Sequence, residues 1–250
     1  MADNKPILIC GRNSVKEAIR TDRVKRIMLN NGFHDHEILQ LIEEKKIPFS
    51  FVQVKELDRL SNAMVHQGIV AEIKPYLYSS LEEIIHLSKK VDSPVVVILD
   101  GINDPHNFGA ILRSAEIFGV TGIIVSKHHQ VPLNATVGKT SAGAINYVPV
   151  AQVNNLTNAI TTLKENGFWI VSSDGSGESN YDDINYDFPT VLVIGSEGEG
   201  ISRLVLKNSD YIVKIPMSGK VNSLNASVAA GILMSEISRQ CRKRKKQSQN

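Results

Sequence analysis

The chain has 250 residues, enough for one large domain or two smaller ones, and its 42% hydrophobic and 22% charged content is that of a globular protein rather than a disordered one. A formal net charge of +2 is too small to mark the whole chain as a nucleic-acid binder, and two cysteines, Cys10 and Cys241, without CxxC or Cys/His spacing argue against a disulfide framework and a structural zinc site. No apolar run has the form of a signal peptide or the length of a membrane span, so a cytoplasmic protein with no membrane segment and no metal is expected.

In chain order, residues 1–75 read as a small α/β domain in which short apolar strands alternate with amphipathic helices. Residues 7–10 form a strand ended by Gly11, and Ser14 with Glu17 gives a capping-box pattern for a helix through Arg20. Residues 26–29 read as a strand, and Asp35 can cap a helix carrying Ile38, Leu39, Leu41 and Ile42 on one side. Further strands are expected over 49–54 and 68–73. Arg12, Lys16, Arg20, Arg23, Lys25 and Arg26 make a basic group that suits an RNA backbone. Residues 76–93 read as a linker whose helix is capped by Ser79 or Ser80 and broken by Ser93-Pro94.

From residue 94 to 250 the character changes. The runs 95–99, 122–125, 168–171, 191–194 and 211–213 are continuously apolar, as in a parallel sheet covered on both faces. Trp169, inside one of these runs, reads as core rather than as a base-stacking platform. In such sheets ligands bind beyond the carboxyl ends of the strands. The polar and glycine-rich segments fall there: 100–113, 172–177, 195–202 and 215–225. The acidic loop 174–187 and the pair His128-His129 read as solvated. The chain closes on Arg239 and the basic run 242–246, either a phosphate contact or a solvated helix end.

Three of these segments carry chemistry. Residues 100–113, DGINDPHNFGAILR, place Asn107 at a helix start and Arg113 nearly two turns on, where a forked cation suits phosphate. Residues 195–202, GSEGEGIS, follow a buried strand; they lack the lysine and hydroxyl of a triphosphate loop and the spacing of a dinucleotide fingerprint. Residues 214–236 run from a strand through Pro216 and a polar turn to Ser223 and Asn225, then into a helix of small and apolar residues over 228–234. Each alone has a bland reading: a cap, a surface arginine, a tight turn, an N-capped core helix. Their arrival at one sheet edge favours a site.

Together, as an NxxxNxGxxxR-like pattern, GxEGxG and IPMxGxxxSLNxS, these segments resemble the SpoU/TrmH (SPOUT) family of RNA ribose 2′-O-methyltransferases over residues 95–240. One departure is Ala226, where a larger aliphatic is common. Residues 11–18 and 66–71 resemble the two patches of the substrate-binding domain often fused to that family, related in form to ribosomal proteins that bind kinked RNA. The fused arrangement is most similar to the RlmB-type enzymes.

The resemblance implies an α/β protein whose C-terminal parallel-sheet domain holds a deep trefoil knot, with S-adenosyl-L-methionine as cofactor and a homodimer as the working form. It implies catalytic roles for Arg113, Asn107, Glu197, Ser223 and Asn225, with Arg113 as base or as charge stabiliser. Cofactor contacts are implied for Ser172, Ser173, Gly195, Ile215, Met217, Ser223 and Leu224, and RNA contacts for Arg12, Asn13, Lys16 and His106. The expected activity is methylation of a guanosine ribose in 23S rRNA. The alternatives are a guanosine in tRNA or, from a different class, a dimeric RNA-binding protein without catalysis.

Overall fold

The structure is a computed structural model that describes residues 6–220 and 223–247. The chain divides into two compact units, Met1–Leu77 with Leu133–Tyr147, and Tyr78–Pro132 with Val148–Asn250.

The first unit opens with β1 (Ile7–Cys10), α1 (Arg12–Arg20), β2 (Val24–Asn30), α2 (His36–Glu44), β3 (Phe49–Val52), α3 (Val54–Leu60) and β4 (Ile69–Ile73). Its sheet has the order β1-β4-β2-β3, with β4 antiparallel to β1 and β2, and β3 parallel to β2. Helices α1 and α2 close one face through Val15, Ile19, Ile38 and Ile42 against Ile27, Leu29, Ile69 and Ala71. Helix α3 closes the other, setting Leu57 on Cys10, Met28 and Val70. Asp35 caps α2 as expected, accepting from the Ile38 amide at 3.2 Å. The capping box at Ser14 is absent: Gly11 is the N-cap of α1, Ser14 is buried one turn inside it, and Glu17 serves as an acceptor for Arg20.

The second unit begins with α4 (Leu81–Ser88), followed by β5 (Val95–Asp100), α5 (Pro105–Ile117) and β6 (Gly122–Ser126). The chain then enters α6 (Ala135–Thr140), which belongs to the first unit, before β7 (Val150–Val153), α7 (Leu156–Glu165), β8 (Trp169–Ser173) and β9 (Ser179–Asn180). β10 (Thr190–Gly195), α8 (Arg203–Lys207), β11 (Tyr211–Lys214) and α9 (Ala226–Gln247) complete it. Among the described residues its sheet has seven strands, all parallel, in the order β7-β6-β5-β10-β8-β11-β9. The winding direction reverses beside β5, which makes its carboxyl end a switch point of the kind where ligands bind. Among the described residues no helix is long and apolar enough to cross a membrane.

The continuous division into 1–75, a linker 76–93 and 94–250 needs correction at two places. Helix α4 is no free linker: Ser80 caps it through the Glu83 amide, and Ile84 and Ile85 are buried with Val96, Ile98 and Ile124. Residues Leu133–Tyr147 leave the second unit's sheet and pack on the first unit. There Gly138 lies under Tyr76, where an added Cβ would stand 2.2 Å from the phenol oxygen, and the Tyr147 hydroxyl donates to Glu17. Truncation after residue 75 would therefore strip this segment of its packing partner.

If α4 is part of the second core, Ile84→Ala will cost about 2–5 kcal/mol in urea unfolding of that unit. An unchanged midpoint would return the helix to the status of a linker.

Candidate active site

The site is built at the carboxyl edge of the second unit's sheet, from the ends of β5, β10 and β11. Asp104, not Asn107, is the N-cap of α5; it accepts from the His106 amide at 2.9 Å, and Pro105 takes the first helical position. Asn107, in the first turn, is thereby freed from capping and is only 9% exposed. After β10 the chain turns back on itself: Ser196 and Gly200 exchange both backbone hydrogen bonds, at 3.1 and 3.0 Å. A Cβ on Gly195 would lie 2.2 Å from the Gly200 carbonyl carbon, so this closure demands glycine there. The turn carries Glu197 at its tip. Asp100 ties the far side, accepting from the Ser202 amide at 2.8 Å.

Asn225 is the N-cap of α9. Its Oδ1 accepts from the amides of Ser227 at 2.9 Å and Val228 at 3.3 Å and from the Ser227 hydroxyl. Because those amides can only donate, the amide group has one possible orientation, with Nδ2 facing the site. Nδ2 donates to Asn107 Oδ1 at 2.9 Å and to Glu197 Oε1. Asn107 Nδ2 in turn donates to the same Glu197 oxygen at 3.1 Å. Three residues separated by up to 118 positions thus form a closed ring, and Glu197 Oε2 is left without a hydrogen bond among the described residues. That oxygen is the acceptor the ring presents to a ligand.

A cavity of about 400 Å³ opens beside the ring, a size suited to a small molecule. Its apolar walls are Ile194, Ile215, Met217 and Leu224, and its acidic groups are Asp174, Glu197 and Glu199. Ser173, Gly195 and Ser223 also line it. On the other side of the Ser196–Gly200 turn lies a second space of about 630 Å³, bounded by Asp100, Asn103, Asp104, Asn107, His129 and Ser202.

Most of the expected cofactor residues therefore meet at one cavity. Ser172 does not: its side chain is fully buried and shares a 2.6 Å hydrogen bond with the Ser209 hydroxyl, because alternation along β8 turns it away from Ser173. Arg113 stands apart from the ring. Six residues beyond Asn107 it is rotated about 120° around α5, it is exposed, and it makes no hydrogen bond or ion pair among the described residues. Val221 and Asn222, part of the turn expected after Pro216, lie outside the described residues. Sequence reasoning missed Asp174, Glu199 and His129 as lining groups; all three follow strand ends, the one signal that could have found them.

In the first unit the two recurring patches come together. The Arg12 amide donates to Gln67 Oε1 at 2.8 Å, and the Gly11 amide to the Ile69 carbonyl at 3.4 Å. Arg12 also lies 5.2 Å over the Phe33 ring and 3.7 Å from Asp35, while Asn13 is exposed beside it. Much of the basic group is neutralised: Lys16 pairs with Glu37, Arg20 with Glu17 and Glu37, and Lys25 and Arg26 with Glu72. Burial pushes the Cys10 thiol up, away from a reactive thiolate.

Comparison with known proteins agrees with this geometry. The SpoU rRNA Methylase family matches residues 94–235, and a substrate-binding domain of RNA 2′-O ribose methyltransferases matches residues 8–79. A protein of Staphylococcus haemolyticus named as a TrmH family tRNA/rRNA methyltransferase is 45% identical over 238 residues, covering 93% of this chain and 95% of its own. Among solved structures, the SpoU methyltransferase AviRb from Streptomyces viridochromogenes superposes with a TM-score of 0.81 at 23% identity, over 94% of this chain and 89% of its own, and has also been solved with AdoMet. The TrmH/SpoU tRNA modifying enzyme of A. aeolicus is 31% identical with a TM-score of 0.56, over 66% of this chain and 83% of its own.

The ring predicts a specific sensitivity at its shared member. Asn225→Asp keeps an acceptor for the helix cap but removes both Nδ2 donors and sets a second carboxylate against Glu197. It will lower stability by about 1–2 kcal/mol more than Asn225→Ser in urea unfolding. Equal stabilities would mean that Asn225 serves the helix alone.

Proposed function

The chain belongs to the SpoU rRNA Methylase family, and on that premise we propose that it transfers a methyl group from S-adenosyl-L-methionine to a ribose 2′-hydroxyl of RNA, at a guanosine of 23S rRNA. The observation that carries this reading is the Asn107–Glu197–Asn225 ring beside a cavity of small-molecule size. The alternative RNA is a tRNA, since the curated relatives are named for both.

The cavity fits the cofactor by its own chemistry. Ile194, Ile215 and Leu224 offer apolar walls, Gly195 allows backbone to approach closely, and Asp174, Glu197 and Glu199 favour a cation. When bound, S-adenosylmethionine supplies a methyl group on a positively charged sulfur. The residues of this chain handle the alcohol. Glu197 Oε2 is placed to accept a hydrogen bond from a ribose hydroxyl, and the two asparagine amides hold its carboxylate in one orientation. Ser223, exposed on the cavity wall, adds a second polar contact. Arg113, exposed and without an ion pair among the described residues, offers a forked cation to an RNA phosphate or to the developing 2′-oxyanion. An arginine seldom gives up its proton, so charge stabilisation suits it better than the role of base. Glu197 Oε2, accepting from the 2′-hydroxyl, would take up its proton as the oxygen gains the methyl group supplied by the cofactor, which would leave as a neutral thioether.

The first unit serves as the RNA reader through Arg12, Asn13 and Lys16, with His106 of the second unit as a further contact. A purely RNA-binding protein is less supported, because binding RNA alone does not call for a fixed carboxylate beside a cavity of small-molecule size. The working form is a homodimer joined on the α5–α9 face. There a groove of about 600 Å³ is lined by Ser114, Phe118, Val228, Gly231 and Ile232, and Val228 and Ile117 stay 49% and 64% exposed. A trefoil path of the chain through the loops after β10 and β11 belongs to the same reading; the insertion of β10 between β5 and β8 supports it.

Arg113→Ala is expected to abolish methyl transfer to rRNA fragments while S-adenosylmethionine binding, followed by calorimetry, stays within about twofold. Near-normal transfer would remove Arg113 from its role, and a wild-type protein that binds no cofactor would remove the reading itself. For the dimer, Val228→Glu places a charge on the shared face and is expected to yield monomers in sedimentation equilibrium. A variant as dimeric as the wild type would move the interface elsewhere.

A further inference from the structure

The opposite, amino edge of the second unit's sheet carries a feature that the transfer reaction does not use. Trp169, expected in the core, is 45% exposed. It stands at the first position of β8, where alternation with buried Ile170 turns it to the face away from α7 and α8. Its ring is stacked on Tyr211 at 5.9 Å and tilted against Phe188 at 5.4 Å, and Phe188 and Tyr211 are themselves parallel within 6°. These three residues begin β8, begin β11 and precede β10, so the strand register holds the rings together. Tyr186 extends the cluster, 6.4 Å from Phe188. A core does not need this arrangement at its rim; a rigid aromatic ledge with an open ring is what a nucleobase stacks on.

Helix α9 brings charge to the same edge. It starts at the carboxyl edge with the Asn225 cap and runs back along the sheet. Gln240 bonds both the Tyr186 amide and the Ile184 carbonyl at 3.0 Å, and Arg244 reaches Ser93 Oγ, two residues before β5 begins. Strands β5 and β8 are two spacings apart, about 10 Å, which sets the last turns of α9 beside the aromatic ledge. Those turns carry Arg242, Lys243, Lys245 and Lys246, and none of the four has an ion pair among the described residues. The acidic neighbours are partly spent, since Asp210 is held by Lys164 at 2.6 Å and by the Ile170 amide at 2.8 Å; Asp187 and Glu165 are exposed.

We propose that the Trp169–Tyr211–Phe188 ledge and the basic end of α9 form a docking surface for single-stranded RNA, separate from the transfer site, in which an unpaired base stacks on Trp169 while Lys243, Lys245 and Lys246 hold the backbone. The occupant is an RNA rather than an acidic protein because the charge is joined to an open, stacked ring, the pairing that single strands use. The proposal rests on the RNA-directed function above and gives that substrate a second foothold on the same unit.

The full chain tests it directly, because Trp169 is its only tryptophan and emission reports on that ring alone. Titration with an oligoadenylate of about twelve nucleotides is expected to quench the emission saturably. Heparin, a polyanion without bases, is expected to bind and leave it unchanged. In anisotropy with a labelled oligoadenylate, Trp169→Leu should weaken affinity about tenfold. A Lys243→Ala/Lys245→Ala variant, which leaves the ledge intact, should lower the slope of log affinity against log salt by about 1.4. No quenching by the oligonucleotide at low salt, equal quenching by heparin, or a shift produced by polyglutamate alone would overturn the proposal. The two failures separate: absent quenching with intact S-adenosylmethionine binding overturns this surface alone, whereas absent cofactor binding with intact quenching overturns the transferase reading and supports the ledge.

Discussion

The Asn225 side chain is the one contact on which the site depends. A helix start leaves amide groups that must be satisfied, and Asn225 Oδ1 satisfies those of Ser227 and Val228. With the oxygen committed, the nitrogen has only one direction in which to point, and it meets Asn107 and Glu197 there. The ordinary demand of a helix terminus thereby fixes the orientation of a carboxylate 28 positions earlier in the chain. Preorganisation of this kind costs no reordering when a ligand arrives.

The remaining geometry supports that contact. Continuous apolar strands let the parallel sheet bury both faces, and parallel strands bring all their carboxyl ends to one edge. Asp104 takes over the capping of α5, so Asn107 is available to the ring. The tight approach of Gly195 to Gly200 closes the turn that carries Glu197, and the two asparagine amides hold its carboxylate although the residue is exposed. Acidic residues around the cavity, Asp174 and Glu199 with Glu197, favour a cationic ligand, whereas the basic residues that end α9 gather at the sheet's other end. The second unit thus has two chemically distinct edges, and α9 runs from one to the other.

Much of this was legible in the order of the residues. The strands 95–99, 191–194 and 211–213 follow from unalternating apolar runs, and the polar segments after them mark the site edge. The resemblance of three ordered motifs named the family, and the matches over 8–79 and 94–235 bear it out. Less legible were the departures from local rules. Ser14 and Glu17 have the spacing of a capping box, yet Glu17 is drawn to Arg20 and Tyr147. Trp169 sits in an apolar run, yet its place at the strand's first residue leaves it at the rim of the sheet.

By itself the sequence determined the strands over 95–99, 122–125, 168–171, 191–194 and 211–213, that their sheet is parallel, and which residue types wait at its carboxyl edge; β7, β9, α3 and α6 were not read from it. Those properties depend on local periodicity and on the spacing of neighbours along the chain. Only the tertiary structure decided that Leu133–Tyr147 packs with the first unit, that Ser172 turns to Ser209 while Ser173 meets the cavity, and that Asn107, Glu197 and Asn225 close a ring with Arg113 outside it. The reason is physical: a hydrogen bond between residues 118 positions apart depends on where strands, turns and helix ends come to rest together, and no short window of sequence contains that information.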